Sequence, residues 1–484
     1  MSGAPLPPPA AHGFWTFDQA ARALAEVARG AVPSGAAPLR AVTTDTRALA
    51  AGDLFVALAG ERFDAHDFLA DAVRAGAAAL VVNDGGRAAG LGVPAYEVSD
   101  TRLALGHLAR HWRRAWGQHG RAVVAVAGSN GKTSTKELLR AALGAARQVH
   151  ATAANLNNLV GVPLTLLGTP PAAEVAVVEI GTNAPGEIAA LRAVTEPDLV
   201  VLTSIGEEHL EGLGDLAGVL REEADAFDGA ELAITPADQP EVAAAARGRA
   251  RRVVAAGLDA GDVRPERWWL DADGSGGVVL DGVEVRTPLR GAHNLRNLML
   301  TLAAARALGV TVADAARGLA AMPVPDMRTA WVALGRATLI NDAYNANPPS
   351  TRAAIDLLAG AGGNGGAPRQ RVAVLGTMRE LGAHADRLHD EVARRAVDAP
   401  LDVIAGVGDF AAALARVAPG DPRVVVATDP DALWPALAAR LAPDAVVLLK
   451  ASRGVRLERL VPRLAEWAGV ADPTGNGHGA AAHP

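Results

Sequence analysis

The chain has 484 residues, half of them apolar, with 46 basic against 53 acidic side chains and no cysteine. The net charge of −7 leaves no basic excess for a non-specific nucleic-acid footprint, and the missing thiols exclude disulfide frameworks, thiolate metal sites and a cysteine nucleophile. No apolar run approaches the roughly 18 residues that span a bilayer, and the Pro-rich start carries no secretion pattern. The expectation is a cytoplasmic, multidomain protein that acts as a monomer, without membrane insertion and without a nucleic-acid partner.

A loose head over residues 1–13 precedes an amphipathic helix over 14–29. Residues 39–82 alternate short apolar runs with turn signals and end on a helix and the run Ala77 to Val82. A helix over 102–116 leads into the next unit. From Arg121 the pattern changes to Val-rich runs (122–127, 175–180, 199–202) separated by Ala- and Leu-rich helical stretches. Continuous apolar strands alternating with helices predict a parallel sheet covered on both faces. A third series follows Pro323, with strands over 337–340, 372–375, 403–405, 424–426 and 446–449, a Gly-rich loop over 359–367 and a disordered tail over 471–484. The fold class is α/β, in three domains expected over 14–100, 101–324 and 325–470.

Only three of the 46 basic residues are lysines: Lys132, Lys136 and Lys450. Tyrosine is equally depleted, and there are 13 asparagines. Where a depleted type persists, a chemical need is a reasonable suspicion, because a lysine ammonium is a compact point charge and an arginine a planar fork. The first two lysines sit in Gly128-Ser129-Asn130-Gly131-Lys132-Thr133-Ser134-Thr135-Lys136, between a Val-rich strand and a helix. That context is what a phosphate loop requires: glycines let backbone amides converge on phosphate, the helix N-terminus favours an anion, lysine reaches the outer phosphates and the next hydroxyl can ligate Mg2+. The common eight-residue form would place a glycine at Val126, so the spacing is a variant.

Other strand ends carry candidates. Glu179 closes a buried strand before Gly181, where carboxylates of such sheets often hold Mg2+. His209 follows the next strand, a position equally open to a capping or surface histidine. Asn155, Asn157 and Asn158 crowd one loop, as ligand groups or turn formers. The run from Asp342 through Tyr344, Asn345 and Asn347 to a double proline, and the run Leu449-Lys450-Ala451-Ser452-Arg453, form two more strand-end loops.

With these motifs in order, over residues 40–460, the chain resembles the Mur ligases, ATP-dependent enzymes that add amino acids to the peptide stem of the bacterial cell-wall precursor. The similarity runs through the phosphate loop with Lys136-Glu137, the asparagine loop with Gly161-Val162-Pro163, Glu179-Ile180-Gly181, His293-Asn294 with Asn297, the Tyr344 loop and Asp45-Thr46-Arg47. Within the family, the Tyr344-Asn345-Ala346-Asn347-Pro348 string is similar to the member that joins D-Ala-D-Ala to UDP-N-acetylmuramoyl-tripeptide through an acyl phosphate. Those two molecules, ATP and Mg2+ are then the implied partners and cofactors. The resemblance implies that Lys132 and the loop amides of Gly128 to Ser134 hold the ATP phosphates. It places Mg2+ on Thr133, Glu179 and His209, adenine on Asn297, the phosphates also on Arg328, and ribose on Asp342. Thr46 and Arg47 lie near the uridine nucleotide, and the asparagine loop, Tyr344, Asn345, Asn347, Lys450 and Ser452 serve the substrates.

One departure stands out. The family commonly carries a lysine, carbamylated to a carboxylate that helps hold Mg2+, in the helix after the histidine. No lysine exists between Lys136 and Lys450, and Glu223 falls at that position. The expectation is that Glu223 supplies the carboxylate directly; the plain alternative is a solvated helix residue. Two other readings stand beside this one: a related ligase that adds a different amino acid and, motivated by the missing lysine, a catalytically weak paralogue that binds the UDP-peptide or nucleotide.

Overall fold

A computed structural model describes residues 10–60, 63–118, 120–271, 273–324, 327–361 and 369–470. Three α/β domains follow one another. The first begins with helix α1 (Phe17–Leu24) and builds a parallel sheet from β1 (Val42–Thr43), β2 (Leu54–Val56), β3 (Ala79–Val82) and β4 (Ala95–Glu97), in the order β1-β2-β3-β4. Helix α1 is shorter than the periodicity predicts. Trp15 and Thr16 are used in extended pairing with Leu39 and Pro38, and Thr16 then caps the helix by accepting from the Gln19 amide. Of the expected loose head, residues 10–13 are described, and His12 stacks on Trp112 at 4.3 Å. The rest of the head, the expected tail and most of the Gly-rich loop lie outside the described residues.

Helix α2 (Thr101–Gly117) carries the chain to the central domain. There β5 (Ala122–Ala127), α3 (Lys132–Gly144), β6 (Val149–Ala151), β7 (Val175–Glu179), α4 (Glu187–Thr195), β8 (Leu199–Leu202), α5 (Leu216–Ala224), β9 (Leu232–Pro236) and β10 (Arg252–Ala256) form a six-stranded parallel sheet, ordered β10-β9-β8-β5-β7-β6. Val123, Val124, Val177, Val178, Val200 and Val201 are fully buried, which is why these strands read as unbroken apolar runs. The order reverses at β5, so the loops after β7, β5 and β8 open side by side at one edge, the place where such sheets bind ligands.

An antiparallel hairpin sheet, β11 (Arg267–Leu270), β12 (Gly276–Leu280) and β13 (Val283–Arg286), was not legible in the sequence. Gly276 and Gly277 lie within β12. A Cβ on Gly277 would come 2.9 Å from the Trp269 ring, so the glycine makes room for tryptophan across the pair. After helix α6 (Ala292–Ala307), the C-terminal domain builds the sheet β14-β15-β19-β16-β17-β18 from β14 (Ala330–Leu334), β15 (Ala337–Asp342), β16 (Arg371–Leu375), β17 (Val403–Val407), β18 (Val424–Ala427) and β19 (Val446–Lys450). All neighbours are parallel except β14, which pairs antiparallel with β15. No helix among the described residues is long and apolar enough to cross a membrane.

Arg113 fixes α2 to the central domain. Its guanidinium donates to the carbonyls of Thr195 (3.0 Å) and Glu196 (2.7 Å) and to Asp198 (2.9 Å), closing the end of α4 where backbone carbonyls lack helical partners. Replacing Arg113 by Met leaves the buried Thr195 carbonyl without its donor and removes the bonds to Glu196 and Asp198, and is expected to lower unfolding free energy by about 1–3 kcal/mol. Arg114→Met, which breaks an exposed pair with Glu196, should cost less than about 1 kcal/mol. Denaturant midpoints of the two variants check the difference.

Candidate active site

The loop after β5 is shaped by two glycines. Gly128 (φ +109°) rests so closely on the β8 loop that a Cβ would lie 2.7 Å from Thr203 Oγ1 and 2.8 Å from the Ser204 carbonyl. Gly131 (φ +88°) begins α3, and a Cβ there would strike Asn297 Nδ2 at 2.7 Å. Only glycine fits both positions. The loop is tied down by Ser129 N donating to the Ser204 carbonyl (2.7 Å) and Gly206 N donating to Ser129 Oγ (2.9 Å). The N-terminus of α3 has no side-chain cap, so its amides and dipole are available to an anion.

This edge opens into a cavity of about 660 Å3 between the central and C-terminal domains. Most of the residues expected to act together line it: Ser129, Asn130, Gly131, Lys132, Thr133 and Ser134; Asn155, Asn157 and Asn158; Glu179 and His209; Asn297, Arg328 and Asp342; Tyr344, Asn345, Asn347 and Lys450. Gly128, Glu223 and Ser452 lie behind its wall. Thr46 and Arg47 are not brought to it. They flank a separate cavity of about 90 Å3 between Thr43, Thr44, Asp45 and Ala48 of the first domain and His150, Leu164 and Thr165 of the central one. Arg47 is exposed and pairs with Asp45 at 2.7 Å.

Acidic groups converge on the loop. Thr133 Oγ1 donates to Glu179 Oε2 (2.9 Å), and Asn157 Nδ2 donates to Glu179 Oε1 (2.9 Å), so strand end, helix start and asparagine loop meet at one carboxylate. Asn158 serves as a turn former, accepting from the amides of Val160 and Gly161. Lys132 folds back onto the Gly128 carbonyl, with Glu208 Oε1 3.5 Å away. Burial disfavours its charge, but Glu208, Glu223 and Glu179 outweigh this and hold the ammonium above its ordinary pKa.

Glu223 is not a solvated helix residue. It is fully buried, and its Oε2 accepts from the Gly128 amide at 2.8 Å while Oε1 has no hydrogen-bond partner. Burial, reinforced by Glu208, pushes its carboxyl up to about 7 against the opposing pull of Lys132. Glu208 is likewise buried, and its Oε1 makes no hydrogen bond but faces the Lys132 ammonium at 3.5 Å. His209 adopts a left-handed backbone (φ +52°), and its Nδ1 pairs at 2.5 Å with Glu380 of the C-terminal domain. Burial lowers the imidazole pKa, but Glu380 and Glu208 together more than restore it, so it lies above the ordinary value. Among the described residues no three His, Asp or Glu side chains are gathered as a ready metal cage. Glu208 and Glu380 were not picked out from sequence: Glu208 is one of two adjacent acids, and Glu380 reaches the site from another domain.

The C-terminal wall is internally braced. Asp342 accepts from the Thr329 amide (3.1 Å) and pairs with Lys450 (2.7 Å), whose ammonium also donates to the Asn345 carbonyl (2.8 Å). Arg328 lies over the Tyr344 ring at 4.2 Å. Asn347 caps the helix over Pro348–Gly360 through a reciprocal capping box with Ser350 and extends its amide to Glu208 (3.4 Å). Ser452 Oγ accepts from the Arg379 amide and donates to the Ala346 carbonyl, joining two loops of this domain.

Family models match in chain order: the Mur ligase family catalytic domain over residues 38–113, the Mur ligase middle domain over 126–305 and the Mur ligase glutamate ligase domain over 327–453. The chain is 36% identical to the UDP-N-acetylmuramoyl-tripeptide–D-alanyl-D-alanine ligase of Escherichia coli, with 92% of this chain and 97% of that protein covered. Identity with the Bacillus subtilis protein of the same name is 33%, covering 88% and 93%. Among solved structures it is similar to MurF from Acinetobacter baumannii (TM-score 0.84, 30% identity, 93% and 99% covered). It is also similar to a MurF ligase from Thermotoga maritima in complex with ADP (TM-score 0.77, 28% identity, 89% and 98% covered). Phosphate loop, asparagine loop and C-terminal wall thus belong to a chain similar to these proteins over nearly its whole length, and the protein is a member of the Mur ligase family.

Proposed function

We propose that this protein joins D-Ala-D-Ala to UDP-N-acetylmuramoyl-tripeptide at the expense of ATP, in the synthesis of the peptidoglycan precursor. The observation that carries the reading is one cavity in which an uncapped helix start, Lys132, Glu179 and the buried Glu208 face the Asp342–Asn347 wall of a second domain, with Glu223 buried directly behind the phosphate loop. The loop amides and Lys132 hold the phosphates, Arg328 adds a planar charge supported by Tyr344, and Asn297 and Asp342 border the nucleoside. Thr46 and Arg47, in the loop whose Thr43, Thr44, Asp45 and Ala48 line the smaller cavity, take the uridine nucleotide beside it.

The chemistry follows from charge and position. A carboxylate is a poor acyl donor. Its oxygen forms a bond to the γ-phosphorus as the bond to ADP breaks, giving an acyl phosphate. The dipeptide amine then forms the C–N bond, phosphate leaves, and the nitrogen loses a proton. Such transfers need alignment and charge neutralisation rather than a side-chain nucleophile, consistent with a chain lacking cysteine.

The residues fit Mg2+, which when bound neutralises developing phosphate charge. Mg2+ prefers one or two carboxylates completed by phosphate oxygens and water, so a three-residue protein cage is not required. Thr133 and Glu179 supply one hydroxyl and one carboxylate. His209 keeps Nε2 for a metal while Glu380 holds Nδ1. Glu223 offers its free Oε1 where relatives commonly place a carbamylated lysine, so activity here needs no CO2.

Three outcomes test this reading. ADP release should require both UDP-N-acetylmuramoyl-tripeptide and D-Ala-D-Ala; release with a free amino acid would indicate a sister ligase, and no release with both present a binding-only paralogue. Depleting and restoring bicarbonate should leave the rate unchanged. The raised Glu223 pKa means that the folded state binds the extra proton between about pH 4.5 and 7, so ligand-free stability falls as pH rises through that window. Glu223→Gln keeps the acceptor for Gly128 and should remove that slope, gaining up to about 3 kcal/mol at pH 8, while weakening Mg2+-dependent activity. Urea denaturation across pH, run beside the activity assay, reads both.

A further inference from the structure

Lys136 has no part in the chemistry above, yet it is one of three lysines in a chain with 43 arginines. It lies one turn beyond Thr133 in α3 and is 1% exposed. Its ammonium donates to the Thr152 carbonyl at 2.9 Å and pairs with Glu137 at 2.8 Å. Thr152 is itself buried and stands where β6 gives way to the asparagine loop. Its amide donates to the Val177 carbonyl (3.0 Å), and its hydroxyl accepts from the Glu179 amide (2.9 Å).

These contacts close a ring. Helix α3 supplies Thr133 and Lys136, the segment after β6 supplies Thr152 and Asn157, and the end of β7 supplies Glu179. Glu179 is held at its backbone by Thr152 and at its carboxylate by Thr133 and Asn157, and the Gly181 amide returns to the Asn157 carbonyl at 2.9 Å. Lys136 is the one charged member that holds the base of the asparagine loop against the helix. An arginine fork is larger and planar, and at a site with 1% exposure its extra atoms would have to displace packed neighbours to reach both the carbonyl and Glu137. A compact ammonium satisfies both, which accounts for lysine surviving here in an arginine-rich chain.

We infer that Lys136 is a positioning residue: through Thr152 it sets the backbone of Glu179 and the asparagine loop, and so the direction in which the Glu179 carboxylate faces the phosphate loop. The inference rests on the proposed reading of Glu179 as a Mg2+-nucleotide ligand, but its geometric content can be measured without ligand.

The test uses the full chain and the variants Lys136→Met, Lys136→Arg and Thr152→Val, with Glu137→Gln as a control that keeps an acceptor for the ammonium. In ligand-free protein, amide hydrogen exchange at Glu179 and over residues 152–158 should quicken about 10-fold in Lys136→Met. The Mg2+ midpoint for ADP binding should rise about 10-fold, the scale on which groups behind a metal ligand act. ADP binding without Mg2+ should stay at the parent value. Lys136→Arg should fall short of the parent on both readouts, and Glu137→Gln should match it. If Lys136→Met does not fold, Thr152→Val, which deletes only the hydroxyl accepting from Glu179, should give the same two shifts. Unchanged exchange at Glu179 in folded Lys136→Met, or in Thr152→Val where it alone folds, overturns the inference. An equal loss of ADP binding with and without Mg2+ also overturns it. A parent that binds ADP without regard to Mg2+ instead refutes the reading of Glu179, and exchange still decides whether Lys136 positions it.

Discussion

Gly128 sits where three elements meet: it follows β5 directly, rests without a side chain on the Thr203–Ser204 segment after β8, and donates its amide to the buried carboxylate of Glu223 on α5. The rest of the site depends on that junction. If the loop could not approach the β8 segment, Ser129 would lose Ser204 and Gly206, and α3 would not begin with its amides aimed into the cavity. Close backbone approach is possible because parallel strands of buried valines hold β7, β5 and β8 in fixed register. A packed sheet with little freedom to deform therefore carries a loop that must present several donors at once.

Charge gathers around this junction in a way that favours binding over stability. Glu208 and Glu223 are buried with an oxygen each left without a hydrogen bond, and Lys132 is the nearby counter-charge. Buried carboxylates in that state strain the folded protein unless a cation or a proton joins them. The arrangement is unfavourable for an empty protein and favourable for one that holds a metal-nucleotide complex. Glu380 and Asn347 extend the network across the domain boundary, since each touches a residue of the Glu208-His209 pair. The position of the C-terminal domain and the organisation of the phosphate-facing groups are thereby linked through two contacts.

Much of this was legible in the residues. The buried strands of the central and C-terminal sheets announced themselves as continuous Val-rich runs because both faces are covered. The phosphate loop was readable because glycine, lysine and hydroxyl must fall at fixed spacing after a strand. The β11–β13 hairpin was missed because Gly276 and Gly277 interrupt its apolar pattern, Gly277 making room for the Trp269 ring on the paired strand. Helix α1 was overextended because Trp15 and Thr16 are drawn into pairing with residues more than twenty positions away.

The sequence by itself determined the fold class, the phosphate loop and the absence of any lysine to carbamylate, since these rest on local periodicity, short-range spacing and counting. Tertiary structure alone decided that Glu223 is buried beneath Gly128, that His209 meets Glu380, that Asp342 is held by Lys450 and that Lys136 braces Thr152. Each of these pairs joins residues 16 to more than 170 positions apart, and no local pattern records such a distance. The burial that raises the Glu223 carboxyl is likewise a property of the packed molecule, because the same Glu223 in an isolated helix would face water and ionise as an ordinary acid.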